Sequence, residues 1–318
     1  MPRTPTPPSL QQRLDEAPAG ATLTLPPGEY PYGLVIRKPL TLNMEGVHLQ
    51  GVAWGKGILI VEKVDGPVVI NDFHGDGIAA RATSGNLAGV RISGPDFHVT
   101  LNRAHIRGSA MGVLSDNRGG TLRVRDSTVE DIGAQNSGQN LSHVIYAGII
   151  DRLEITRSDI GASNNQGHLV KSRARQTLIR HSRVRGGVSR HSRVIDIPCG
   201  GELEVLDSHL QRSPRADNLD LIGIGLEISA GCRGREGKSS VIIEDSILEL
   251  GPTAGGEPGQ QPVYLFRWVT PQDQLRVRNT TFVLAGHPLR WQMSLVGPSI
   301  TVPDRSNHFV EAADKPLE

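Results

Sequence analysis

Three ionisable side chains recur at one interval in the middle of the chain: Tyr146, Lys171 and Asp196 follow one another 25 residues apart. The same interval separates His143, His168 and Arg193, and Arg173 follows Lys171 by two positions. A phenol, an ammonium, two imidazoles, two guanidiniums and a carboxylate suit proton transfer on an anionic substrate. Tyr146, Lys171 and His143 are the candidate proton-transfer groups, and Arg173 and His168 the candidate cations. Asp196, Arg193 and Asn165 are the expected substrate contacts. Glycoside hydrolysis needs a carboxylate pair, and the register offers Asp196 alone, so a second acid would have to reach over from Glu154, Asp159, Asp217 or Asp220. No cluster of carboxylates suits calcium, so no metal or cofactor is expected.

These residues need strands to align them. The blocks HVIYAG (143–148), HLVKSRA (168–174) and RVIDIPC (193–199) overlay without a gap. Strand side chains alternate faces, so Ile145, Val170 and Ile195 share one side with Ala147, Ser172 and Ile197, and Tyr146, Lys171 and Asp196 take the other. This predicts stacked parallel strands with an apolar interior and a polar outer ridge, neighbours in a column lying about 4.8 Å apart. Outward polar residues of a solenoid are commonly only solvated. A tyrosine, two histidines, a lysine and an arginine are not the simplest way to solvate a strand, which favours a site. His181 and His191 follow ordinary strand edges and carry no assigned role.

A weaker unit surrounds the blocks, of the form apolar-x-apolar-x-polar-Ser/Thr-x-apolar. It begins at 122 (LRVRDSTV), 153 (LEITRSDI), 177 (TLIRHSRV), 203 (LEVLDSHL), 241 (VIIEDSIL) and 275 (LRVRNTTF). Its Ser or Thr falls at 127, 158, 182, 208, 246 and 280. Intervals of this size mark a repeat architecture in which each turn buries its face on the next. The longer intervals predict loops at 133–142, 212–220, 230–240 and 251–262, of the kind that gather on a binding face. Ser9 and Gln12 fit a capping box, and Leu10, Leu14 and Ala17 share a helical face, so a short helix covers the first layer. The expected division is a Pro-rich tail and capping helix over 1–19, a solenoid over 20–297 and a C-terminal tail over 298–318, as one domain.

Composition narrows the function further. Glycine is abundant, at 37 of 318 residues, and aromatics make up 4%, so the core is built from Val, Ile, Leu and Ala. The 34 basic and 33 acidic residues nearly cancel, which argues against a nucleic-acid partner. No apolar run has the length of a membrane span. The opening MPRTPTPPS has no apolar signal core, so export cannot be read from it. Cys199 and Cys232 are expected as two buried thiols, with a single bridge between turns as the alternative.

The opening, a short helix followed by TLTLPPGEY and KPLTL, resembles the start of right-handed parallel β-helix proteins of the pectin-lyase-like class. The recurring unit extends this resemblance over most of the chain. HVIY (143–146), GHLVKSRA (167–174) and IDIPCGG (195–201) resemble a subgroup with H-N-I-Y, G-H-x-x-K-S-R-A and I-D-x-P-N-G-G blocks; Val144 and Cys199 stand where that pattern has Asn. The resemblance implies an all-β, single-stranded right-handed parallel β-helix with its site at His143, Tyr146, His168, Lys171, Arg173 and Asp196. It also implies a secreted or periplasmic protein acting on an anionic polysaccharide. The activity it implies is a metal-independent lyase or C5 epimerase that removes a proton α to a carboxylate: Lys171 or Tyr146 is the base and the other assists the leaving oxygen, His143 is an equal candidate as base, and Arg173 and His168 neutralise the carboxylate. A non-catalytic glycan-binding or structural solenoid and a polysaccharide hydrolase are the alternatives.

Overall fold

The computed structural model describes residues 9–77, 87–116, 118–133, 142–228, 232, 237–250, 262–293 and 304–310. The loops expected at 133–142 and 251–262 fall almost wholly outside these residues, and that at 230–240 does so in part. Among the described residues the strands form three parallel sheets of 10, 11 and 10 strands. Each sheet takes one strand from successive turns, so the chain winds as a right-handed parallel β-helix. Pairing in the second sheet reaches His308–Val310, inside the segment expected as a tail.

The turn comprising Arg152–Thr156, Asp159–Gly161 and Val170–Ser172 shows why these residues wind this way. Leu153, Ile155, Ile160 and Val170 are fully buried, one or two from each strand, while the polar neighbours in the first two strands alternate outward. Three short aliphatic stripes close a narrow core that holds few aromatics. A polar pair also lies inside, the hydroxyls of Ser172 and Thr177 meeting at 2.7 Å.

The recurring Ser/Thr is the joint between the first and second sheets. Before each one stands a residue in the left-handed region: Asp126, Arg157, His181, Asp207, Asp245 and Asn279 have φ between 46 and 52°. Such a turn takes the following N–H out of the ladder. The hydroxyl of the next turn receives it: Ser127, Ser158, Ser182 and Ser208 each donate their N–H, at 3.1 Å, to Ser158, Ser182, Ser208 and Ser246 respectively. Each hydroxyl donates in turn to the carbonyl two residues before it, as Ser182 does to Arg180 at 2.8 Å. At the last joint the Asn307 side chain replaces serine, accepting from Thr280 N at 3.0 Å. The left-handed residues form ion pairs of their own outside, Arg103 with Asp72 and Arg157 with Asp126.

The helix Leu10–Glu16 closes the first layer as expected. Ser9 Oγ accepts from Gln12 N at 3.2 Å, and Leu10 and Leu14 are buried. Its Gln11 amide both donates to Val35 O and accepts from Val35 N, each at 2.9 Å, so a side chain takes the place of a preceding strand there.

Replacing Ser182 with Ala leaves the buried Ser158 N–H without its acceptor. We expect a loss of about 1–3 kcal/mol in urea unfolding and faster amide exchange at Ser158. A change within about 0.5 kcal/mol, the range of ordinary surface substitutions, would remove the hydroxyl from its register role.

Candidate functional site

The strands Ile145–Ala147, Val170–Ser172 and Ile195–Ile197 lie side by side in the third sheet, with Tyr146 opposite Lys171 and Lys171 opposite Asp196. The column runs on to Leu114 on one side and to Gly223 and Arg267 on the other. The column expected from the 25-residue spacing is therefore present, but it is not an open ridge. Lys171 is 5% exposed and Asp196 1%, and His143, His168 and Arg193 are also buried.

Part of the cover is Glu227, which follows the strand Asp220–Ile224. Lys171 Nζ donates to its Oε1 at 2.6 Å and Arg173 Nη2 donates to its Oε2. Burial acts to raise the Glu227 pKa, but the hydrogen bonds and charges of Lys171 and Arg173 outweigh it and hold the carboxyl below its ordinary value. The backbone around Glu227 is fixed by Gly225 N to Ile197 O at 2.8 Å and Glu227 N to Pro198 O at 3.0 Å. Cys199 and Cys232 are joined in a disulfide with Cα atoms 5.2 Å apart, which corrects the expectation of two thiols. The two cysteines are on adjacent backbone segments, so a bridge is geometrically available. Glu227 escaped the sequence reading because it belongs to no periodic block. The one signal that could have found it is the cysteine pair that brackets it.

The histidines are set differently from expectation. Their rings stack, with centroids 5.2 Å apart and 5° between planes. His168 N donates to His143 Nδ1 at 2.9 Å, and Arg193 N donates to His168 Nδ1 at 3.1 Å. A ring nitrogen that accepts carries no proton, so both neutral rings bear theirs on Nε2. Burial first, then the charges of Lys171 and Arg173, pushes the His143 pKa down to about 3. Burial likewise holds His168 well below its ordinary value. His168 is thus not a resting cation, and the His143 Nδ1 lone pair is engaged by a backbone amide rather than open to a substrate proton. Both rings link one turn to the next.

Asp196 sits among donors that stand slightly away from it. His168 Nε2 is 3.4 Å from Oδ2, Lys171 Nζ is 3.9 Å from Oδ2 and Arg193 Nη1 is 3.9 Å from Oδ1. Its Oδ1 has no hydrogen-bond partner. Burial raises its pKa to about 6 against the opposing charges of Arg193 and Lys171. Arg193 turns instead to Asp220, donating from Nε to Oδ2 and from Nη2 to Oδ1. Gly223 makes room for this arrangement, because a Cβ there would stand 2.7 Å from Asp196 Oδ1 and 2.8 Å from Arg193 Cδ.

Tyr146 is half-buried, its ring 5.6 Å from that of His143 and 5.8 Å from the Arg173 guanidinium. Burial raises its pKa, with the Arg173 charge opposing. Asn165 lies in the turn before His168, where its carbonyl accepts from Ser163 Oγ at 2.8 Å and Gly167 N at 2.6 Å. Of the acids considered as hydrolytic partners, Glu154 pairs with Arg123, Arg125 and Arg152, Asp159 with Arg185, and Asp217 with Arg190. The acid that reaches Lys171 and Arg173 is Glu227. His181 pairs with Asp207 at a turn, and His191 is buried with Nε2 accepting from Ser213 N. Among the described residues no group of three His, Cys, Asp or Glu side chains is placed to hold a metal ion. Comparison with protein-family models, curated proteins and solved structures finds no match to this chain.

The buried groups give stability an acid limb. His143 and His191, with folded pKa values of about 3 and about 4, stay neutral where their unfolded forms protonate, so their contribution is present above about pH 6.5 and is lost as pH falls below it. Asp196 works the other way: with its folded pKa raised to about 6, it takes up a proton before its unfolded form does and offsets part of that loss. The unfolding free energy should fall between pH 6.5 and pH 4, and fall more steeply in Asp196→Asn. An equal slope in the variant would show that Asp196 does not titrate in this window.

Proposed function

We propose that the chain acts on an acidic polysaccharide at this column, by metal-independent proton abstraction beside a uronate carboxylate, as a lyase or C5 epimerase. One observation carries the reading: Lys171 on the strand Val170–Ser172 and Arg173 just beyond its end each engage one oxygen of a single carboxylate. That carboxylate belongs to Glu227, and a uronate presents the same planar, charged group. With both oxygens held by cations, charge developing on the carboxylate as the α-proton leaves is stabilised. Lys171 and Arg173 are then the electrophilic seat. Tyr146, beside Arg173 and the most accessible of the three expected bases, takes the proton as its phenolate, the form that the Arg173 charge favours against burial. Delivery of a proton from water to the opposite face gives epimerisation, and departure of the C4 oxygen, which takes the proton now on Tyr146, gives chain cleavage.

Hydrolysis is the second reading, favoured by Glu227 and Asp196 flanking Lys171 with pKa values pushed apart, one down and one up. The 1% exposure of Asp196 counts against its contact with a glycosidic oxygen.

The test is incubation with a panel of polyuronates, with and without a chelator, following ultraviolet absorbance of the unsaturated product, new reducing ends and the anomeric NMR spectrum. Product that survives chelation is expected, with Arg173→Ala and Tyr146→Phe each lowering kcat by about 10²-fold. Reducing ends without unsaturation would select hydrolysis. Binding without any product would select a glycan-binding solenoid.

A further inference from the structure

We infer that Glu227 is the resident competitor for the Lys171–Arg173 carboxylate seat and so sets the specificity of the site: a ligand must bring its own carboxylate to take its place. This rests on the reading of the column as a uronate site and adds how that site selects among sugars.

Glu227 occupies the seat with both oxygens, one on Lys171 and one on Arg173. Behind it the Lys171 side chain is 7% exposed and that of Arg173 13%, whereas the Glu227 side chain is 34% exposed and faces solvent. A neutral sugar that displaced Glu227 would take from two poorly hydrated cations the one carboxylate that both engage closely, leaving Lys171 with Asp196 at 3.9 Å, which is unfavourable. A uronate restores both contacts. The exchange needs little motion, since the Glu227 backbone can remain on Pro198 O while the side chain swings outward.

The competitor is built in rather than incidental. Glu227 lies between the end of the strand at Ile224 and the disulfide at Cys232, and its own amide is hydrogen-bonded to Pro198. Tethering of this kind gives an intramolecular group a high effective concentration at its seat. A single uronate therefore competes poorly, while a chain that gains neighbouring contacts competes better. Glu227 sets a threshold as well as a charge requirement.

The test uses the full oxidised chain as wild type, Glu227→Gln, Glu227→Asp and the double variant Lys171→Ala with Glu227→Gln. Each is melted at constant ionic strength with sodium chloride, sodium acetate, sodium glucuronate or glucose. Acetate and glucuronate should raise the Tm of Glu227→Gln saturably, with apparent affinity at least roughly tenfold above wild type. Glu227→Asp, with a shorter reach, should fall between them. Glucose should shift none of the proteins, and the double variant should lose the response. Equal responses in wild type and in both single variants, or glucose acting as well as glucuronate on Glu227→Gln, would overturn the inference. If Glu227→Gln takes glucuronate more tightly yet no polyuronate is turned over, the seat stands and the reaction does not. If wild type turns over polyuronate while Glu227→Gln binds glucuronate no more tightly, the reaction stands and the competitor does not.

Discussion

The arrangement depends on a hydroxyl that joins one turn of the solenoid to the next. A left-handed residue at the corner costs about 1–2 kcal/mol and turns the following N–H away from the ladder. The serine one turn further on accepts that N–H and hands its own proton to a carbonyl beside it, as Ser208 does for Ser182 and Leu206. Since both ends of the contact are fixed in the backbone, neighbouring turns cannot slip. A one-residue slip would turn every inward side chain outward. The third sheet inherits this register, and that is why Tyr146, Lys171 and Asp196 meet although the chain between them runs through two other sheets.

Once aligned and covered, these groups need counter-charges. Ion pairs withdrawn from water are tolerated when their partners are complete. Here the partners come from later turns: Asp220 for Arg193 and Glu227 for Lys171 and Arg173. The histidines meet the same demand by staying neutral and using their free lone pairs on backbone amides. Asp196 is the one member left without a close partner at Oδ1, and its raised pKa is the direct result of burial. The same crowding that stores charge on this face makes it selective about what can replace any part of it.

Much of this was legible in the sequence because it is periodic. The recurring Ser/Thr, the capping helix and the 25-residue columns follow from spacing and alternation alone, and the register pairs Tyr146 with Lys171 and Lys171 with Asp196 as that spacing requires; that the hydroxyls join one turn to the next does not. What could not be read depends on contacts without a period. Glu227 reaches the column from an irregular segment, and the pairing of Cys199 with Cys232 is one of two outcomes open to any two cysteines. Burial keeps His143 and His168 neutral and the backbone amides they face fix their tautomer, both properties of neighbouring turns rather than of the residues themselves. Burial of the column likewise comes from what lies over it, so spacing placed the residues correctly while leaving their surroundings unknown.

Gly223 carries a consequence for how the site would look to genetics. It stands next to Asp196 in the column and offers no functional group. Yet even a methyl there would collide with Asp196 Oδ1 and with Arg193 Cδ, and neither can yield, since Arg193 is held by Asp220 and Asp196 is enclosed. In a saturation scan, position 223 would reject every alternative as firmly as a residue that performs chemistry. The intolerance would report the absence of a side chain, an empty volume that two buried charges share.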